Sequence, residues 1–265
     1  EFRRVLFRSL LQSDFIRRYG LSGNALKLFA VIIMLVDHVG AVLLPQYRIL
    51  RYIGRLSFPI YCFLITEGVV HTHSIYRYGA RLLAFAVISE IPFDLAIFGK
   101  TLEFSEQNVF FTLFIGMSVV WLTRLTDASK GLAALFLGMG AALWLRTDYS
   151  AYGIIMIYCF YIFREKPLWM LVSVGATNYI MGIGGTGSQK YAVLAMIPVF
   201  LYSGKKSYGD REIREEFNLC RSDNINNHMS AERKKTAGQL LLQYGFYAIY
   251  PVHLLILFFI KKYIM

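Results

Sequence analysis

Nine apolar runs recur along this chain about every 25 residues, and no other feature restricts its fold as strongly. In hydrocarbon each backbone N–H and C=O must find its partner within the structure, so such runs form helices. They fall at roughly 26–44, 57–72, 81–98, 108–124, 131–145, 149–163, 167–181, 190–203 and 243–260. Several are nearer fifteen residues than the ~20 that cross a bilayer, which predicts tilted, bent or partly re-entrant segments. The expected fold is all-α, a polytopic integral membrane helix bundle with about nine transmembrane helices, eight at the fewest and ten at the most. Hydrophobic residues make up 56% of the chain, so its core is built between helices in lipid and no separate soluble domain is expected.

Residues 1–9, EFRRVLFRS, resemble the conceptual translation of a sequencing adaptor and are set aside from fold reasoning. Without them the net charge of +11 becomes +9. The expected organisation is an N-terminal cytoplasmic segment at 10–25, a membrane domain of eight spans at 26–203, a polar cytoplasmic loop at 204–237 and a final membrane helix at 238–265. No cleavable signal peptide is visible, so the first span serves as the insertion signal. With the N-terminus in the cytoplasm, seventeen Lys and Arg residues fall on inner segments and eight on outer ones. That bias predicts a multi-pass protein of the cell membrane with its N-terminus inside. Loop 204–237 supplies eight of the seventeen, mixes both charge signs and reads as a solvated linker. The run Gly182, Gly184, Gly185 and Gly187 reads as a flexible connection, since a phosphate cradle wants a strand before it and a helix start after it. Cys62, Cys159 and Cys220 have no ligand spacing, so neither a disulfide framework nor a metal site is expected. No nucleic-acid partner is expected either.

The ionisable residues inside the runs carry the functional signal, because charge at membrane depth is costly. The first run, LKLFAVIIMLVDHVGAVLL, holds Asp37 and His38. Lys27 and His38 are eleven residues apart, which puts them on one helix face about 16 Å apart along the axis. Such a face offers a cation at the cytoplasmic end and an imidazole near the membrane centre. It suits a long anionic carrier that enters from inside and delivers its reactive end to His38. A buried imidazole titrates near neutrality and can act as a general base. Asp37 lies about 100° round the helix from His38, so the two are not a ready-made dyad. It can orient His38 through a partner helix or bind a cationic acceptor.

The third run places Glu90 and Asp94 at i and i+4 on one face, with Pro92 predicting a bend between them. Glu67 lies nearer the inner surface. These acids either position an acceptor or pair with Arg48, Arg51 or Arg55 at the outer end of the first hairpin. Asn108, at the head of the fourth run, belongs to the same acceptor-positioning or structural group. His253, two residues after Pro251 in the last run, is a rival base or a second polar contact for the carrier.

Taken together these residues resemble the TraX family, membrane proteins linked to N-acetylation of conjugative pilin. Four blocks carry the likeness: LKLFAVIIMLVDHVGAVLLP at 26–45, GRLSFPIYCFLITEG at 54–68, RLLAFAVISEIPFDLAIF at 81–98 and NVFFTLFIG at 108–116. Two weaker ones follow, IPVFLYSGKK at 197–206 and FYAIYPVHLLIL at 246–257. The family is distantly similar to the family-3 membrane acyltransferases, whose first span has an Arg, ten residues and then a His. The matching positions here are Lys27 and His38, with Lys in place of Arg, a point charge instead of a bidentate fork. The resemblance implies an acetyl-CoA-dependent acyltransferase. It would move an acetyl group from the cytoplasm to an amine or hydroxyl of pilin or another envelope acceptor, using no metal. His38 would be the general base, Lys27 would hold CoA phosphates, and Asp37, Glu90 or Asp94 would position the acceptor or tune the imidazole. Two other classes fit intramembrane Asp, Glu and His residues: a proton-coupled transporter, and a non-catalytic membrane assembly partner.

Overall fold

The computed structural model describes residues 20–184, 187–204 and 237–264. The polar loop expected at 204–237 lies almost entirely outside the described residues, as do Gly185 of the glycine run and residues 1–19.

Ten α-helices follow in order among the described residues: α1 Gly23–Val42, α2 Arg48–Gly54, α3 Ser57–His71, α4 Ile75–Ile97, α5 Val109–Leu125, α6 Ala128–Trp144, α7 Ser150–Ile162, α8 Pro167–Gly184, α9 Met196–Phe200 and α10 Ala237–Tyr263. Three stretches are long and apolar enough to cross a membrane: Gly23–Val42, Arg48–His71 (α2 with α3) and Leu240–Tyr263. Four shorter helices, α5 to α8, are equally apolar. The fold is thus the all-helical membrane bundle that the spacing of the runs predicts.

The helix starts are chosen by small polar residues. Ser22, Ser74, Asn108 and Asp127 each accept a backbone N–H from the first turn of α1, α4, α5 and α6. These caps satisfy donors that lipid cannot. α4 continues as helix on both sides of Pro92.

The surface is apolar where it would meet lipid. Leu28 and Ile32 of α1, Val87 and Ile88 of α4, and Phe136 and Leu137 of α6 are all exposed. The interior holds Leu26, Phe58, Ile60, Ile157, Phe160, Met196 and Leu254 together with buried Asp37, Asp94, Asn108 and His253. α1 packs on α2, α3 and α10, and α10 lies between α1 and α4. α5, α6 and α7 pack on one another, and α7 also contacts α3 and α8. Leu21 pairs with the 201–203 strip through Leu21 N–H to Leu201 C=O (2.7 Å) and Ser203 N–H to Leu21 C=O (2.9 Å).

Two segments differ from the sequence expectation. Residues 190–203 do not form one helix: a 3₁₀ segment, Ser188–Ala195, runs into the five-residue α9. At ~2.0 and ~1.5 Å per residue the two together reach about 24 Å, short of the ~30 Å hydrocarbon core. The cause is polar. Gln189 Nε2 is drawn inward to the Tyr152 hydroxyl (2.9 Å) and Asn178 Oδ1 (3.2 Å), and the Tyr152 hydroxyl donates to Asn178 Oδ1 (2.6 Å). The second difference is the first hairpin, expected as an outer loop, where the arginines of 48–55 form the short helix α2 instead.

Candidate active site

α1 and α2 meet through two glycines. A Cβ on Gly40 would stand 2.7 Å from Leu50 Cβ, and one on Gly54 would stand 2.0 Å from Asp37 Oδ1. Only a bare Cα lets the hairpin close this far, and the closure lays the α2 arginines against α1. Arg51 Nη1 donates to Asp37 Oδ2 at 2.5 Å and to the Asp37 carbonyl at 3.2 Å. Asp37 is 8% exposed, so the arginine neutralises a carboxylate that lipid-depth burial would otherwise penalise. Arg55 stands beside the same carboxylate and donates to the Tyr149 hydroxyl. Phe58 stacks flat on the Tyr149 ring at 3.6 Å.

The two intramembrane histidines, 215 positions apart in sequence, come together. His38 Nδ1 and His253 Nε2 lie 2.9 Å apart, and His253 Nδ1 lies 2.7 Å from the Ile249 carbonyl one turn back. A carbonyl can only accept, so His253 carries its proton on Nδ1. In the neutral ring its Nε2 is then an acceptor, and His38 must donate from Nδ1. The chain of bonds leaves His38 Nε2 as the basic nitrogen. Tyr250 sets its ring edge-on to both imidazoles, with centroids 5.8 and 5.7 Å away, and its hydroxyl oxygen accepts from the Val109 backbone N–H.

A cavity of about 230 Å³ lies in front of this pair. His38, Asp37, Arg51, Arg55, Tyr149 and Tyr250 line it, as do Glu106 and Asp148. Its walls come from the C-terminal halves of α1 and α4, from α2, the N-terminal turns of α3 and α5, the middle of α10, and the loops before α5 and α7. These belong to one end of the bundle, opposite the α1 start that carries Lys27. The loops are locked to each other: Gln107 N–H donates to Arg146 C=O (2.9 Å), Asp148 N–H donates to Gln107 C=O (2.7 Å), and the Thr112 hydroxyl donates to Asp148 C=O. Arg146, Tyr149 and Ser150 take positive φ values of 52°, 63° and 42° around this turn. Burial and the neighbouring Glu106 charge push the Asp148 carboxyl up to about 7.

Of the site residues expected from sequence, Asp37, His38 and Arg55 line the cavity, and His253 reaches it through His38. His253 is therefore joined to His38 by a hydrogen bond. The other acids do not take the arginines. Glu90 accepts from Asn108 Nδ2, Asn108 Nδ2 also bonds the Ala86 carbonyl (2.8 Å), and Asp94 Oδ2 accepts the Glu103 N–H (2.8 Å). Glu67 lies 3.6 Å from the His71 ring at the far end of α3. Lys27 sits at the opposite end of α1, its ammonium 5.9 Å from the centre of the Phe246 ring. Glu106 and Asp148 are not legible in the sequence because they lie in loops, where a charge signals nothing by itself, and Tyr149 because an aromatic at the head of an apolar run is ordinary.

The fold and these residues define a polytopic helical membrane protein with a paired-histidine cavity at one end of its bundle. The chain belongs to the TraX family: the model described as "TraX protein" matches residues 22–217. It is 36% identical over 113 residues to "Probable fimbrial assembly protein FimC, serogroup H1" of Dichelobacter nodosus, covering 38% of this chain and 46% of that protein. It is 28% identical over 101 residues to an uncharacterized protein of Rickettsia prowazekii (strain Madrid E), covering 38% of this chain and 37% of that one. The chain thus spans less than half the length of these curated relatives. No solved structure matches it.

Proposed function

We propose that the protein is a membrane acyltransferase that moves an acetyl group from cytoplasmic acetyl-CoA to an amine or hydroxyl on an envelope acceptor, with pilin the favoured one. The observation that carries this reading is the His38–His253 hydrogen bond, which presents one basic nitrogen, His38 Nε2, at a polar cavity inside an apolar bundle. His38 takes the proton of the acceptor as it attacks the thioester carbonyl, and His253 accepts a hydrogen bond from the resulting imidazolium and spreads its charge. General-base help of this kind supplies about 10²–10⁴-fold of rate. Arg51 and Arg55 put guanidinium charge beside the carbonyl oxygen as it becomes an oxyanion. At about 230 Å³ the cavity admits the acetyl thioester end of the donor and the reacting end of an acceptor, and CoA as a whole must lie outside it. Lys27, at the cytoplasmic end in the favoured orientation, is the phosphate contact. The fimbrial name of the D. nodosus relative and the family's link to pilin support pilin as acceptor.

The test is acetyl transfer in inverted membrane vesicles from a host lacking the protein, supplied with labelled acetyl-CoA. Wild type is expected to leave label on envelope material and His38→Ala to leave none. Equal labelling by the two, with both inserted in equal amount, removes His38 as the base. A protein that moves protons or solute yet releases no CoA thiol is a transporter.

A further inference from the structure

Acetylating an amine requires the removal of two protons, and His38 has one basic nitrogen. An acceptor amine arrives as an ammonium. One proton must leave before the nitrogen can attack, and the second leaves as the C–N bond forms. We propose that Glu106 and Asp148 form the acceptor-side proton acceptor of this site, a carboxyl pair that takes the first proton from the incoming ammonium. The proposal rests on the acyltransferase reading and on an amine acceptor.

Three observations carry it. Both residues line the cavity that His38 lines. Their loops are fixed to each other by the Gln107–Thr147 bridge, whose partners directly adjoin Glu106 and Asp148. The charged and titratable groups facing Asp148 are Glu106, Arg55, Asp37, Tyr149 and Tyr250. Arg51 holds Asp37, and Arg55 is shared between Asp37, Asp148 and Tyr149. Glu106 thus adds a second carboxyl with no ion-pair partner among the described residues. The neighbouring Glu106 charge makes Asp148 resist losing its proton, which adds to burial in raising it. Asp148 does sit near 7, and burial also raises Glu106.

The steps balance. The ammonium gives a proton to the pair, leaving a neutral amine and a carboxyl. The amine nitrogen then bonds to the thioester carbon, and the C–S bond breaks as the tetrahedral adduct collapses. His38 Nε2 takes the second proton and returns it to the departing thiolate as CoA thiol. The carboxyl loses its proton to water, so one proton is released per acetyl group transferred.

The magnitude fixes the test. A peptide α-amine has a pKa near 7.7–8.0, so roughly one molecule in seven is already neutral at pH 7. Losing the proton acceptor therefore costs about 10-fold at pH 7 and little at pH 9. The experiment uses the full chain in proteoliposomes, acetyl-CoA, a synthetic peptide with a free α-amino group, and CoA thiol release as readout from pH 6 to 9. Wild type is expected to be nearly flat from pH 7 to 9. Asp148→Asn and Glu106→Gln should fall about 10-fold at pH 7 and converge on wild type by pH 9, while Asp148→Glu stays close to wild type throughout. A merely structural defect does not recover with pH, so a uniform loss overturns the assignment, as does a variant profile that matches wild type. If wild type transfers no acetyl group at any pH, the acyltransferase reading falls and this inference falls with it.

Discussion

The contact between Gly54 and Asp37 makes the sharpest demand on the site, and Gly54→Ala tests it. The new Cβ would stand 2.0, 2.2 and 2.3 Å from Asp37 Oδ1, Cβ and Cγ, about 1.4 Å inside the shortest ordinary contact of 3.4 Å. The carboxylate cannot rotate away without leaving Arg51, and Asp37 Cβ cannot move without α1. Either α2 lifts off α1 or the ion pair breaks. Overpacking of this kind costs about 1–3 kcal/mol. A hydrogen-bonded charge pair adds about 1.5–3, taken at its lower end because the Arg51 side chain is 29% exposed. The sum, about 2.5–4.5 kcal/mol, corresponds to a fall in apparent Tm on the order of 5–15 °C. An ångström of displacement at a reacting group costs about 10²-fold in rate, so acetyl transfer should drop further than stability does. The control is Gly140→Ala in α6, where nothing lies within 4 Å of the added Cβ. There a helix-interior Gly→Ala change should be neutral or stabilise by roughly 0.5–1 kcal/mol. Thermal scans in detergent and CoA release are measured for both variants. If Gly54→Ala matches wild type in both assays, or if Gly140→Ala falls as far, the close approach does not hold the site and the reasoning is refuted.

Further outcomes follow from the same contacts. His253→Phe keeps the aromatic volume but removes the acceptor for His38 Nδ1–H, so it should lower kcat about 10–100-fold with KM unchanged; a change confined to KM would remove His253 from the proton-transfer step. The Asp148 carboxyl is raised in the folded state, so its contribution to stability is fully present below about pH 4 and is lost as pH rises through about 7. Asp148→Asn should therefore melt progressively higher than wild type from pH 5 to pH 8, and a constant difference would count against that shift. Tyr152→Phe removes the donor to Asn178 Oδ1 in a fully buried network and should cost about 1–3 kcal/mol in thermal scans. Asn108→Leu loses both the α5 cap and the partner of Glu90, and a similar cost is expected, read in the same scans.

By itself the sequence determined that the chain forms helices in lipid and which polar residues lie within them. Both follow from local rules: an apolar run with no water must bond its own backbone, and a charge inside such a run is conspicuous. It also marked His38, Asp37 and His253 as the residues to watch, and the family blocks at 26–45 and 246–257 pointed to the helices that hold the pair. Partnership was not legible. His38 could have been bonded by any neighbouring carbonyl, and Asp37 looked no closer to Arg51 than Glu90 or Asp94 did. Between helices in a membrane no hydrophobic force selects the neighbour, so packing of small residues and polar bonding choose it together. Gly40 and Gly54 brought α2 onto α1 and gave Arg51 to Asp37, while the run through α10 brought His253 to His38. Glu106 and Asp148 were decided by tertiary structure alone, because a loop carboxylate acquires a shifted pKa only when folding buries it beside another.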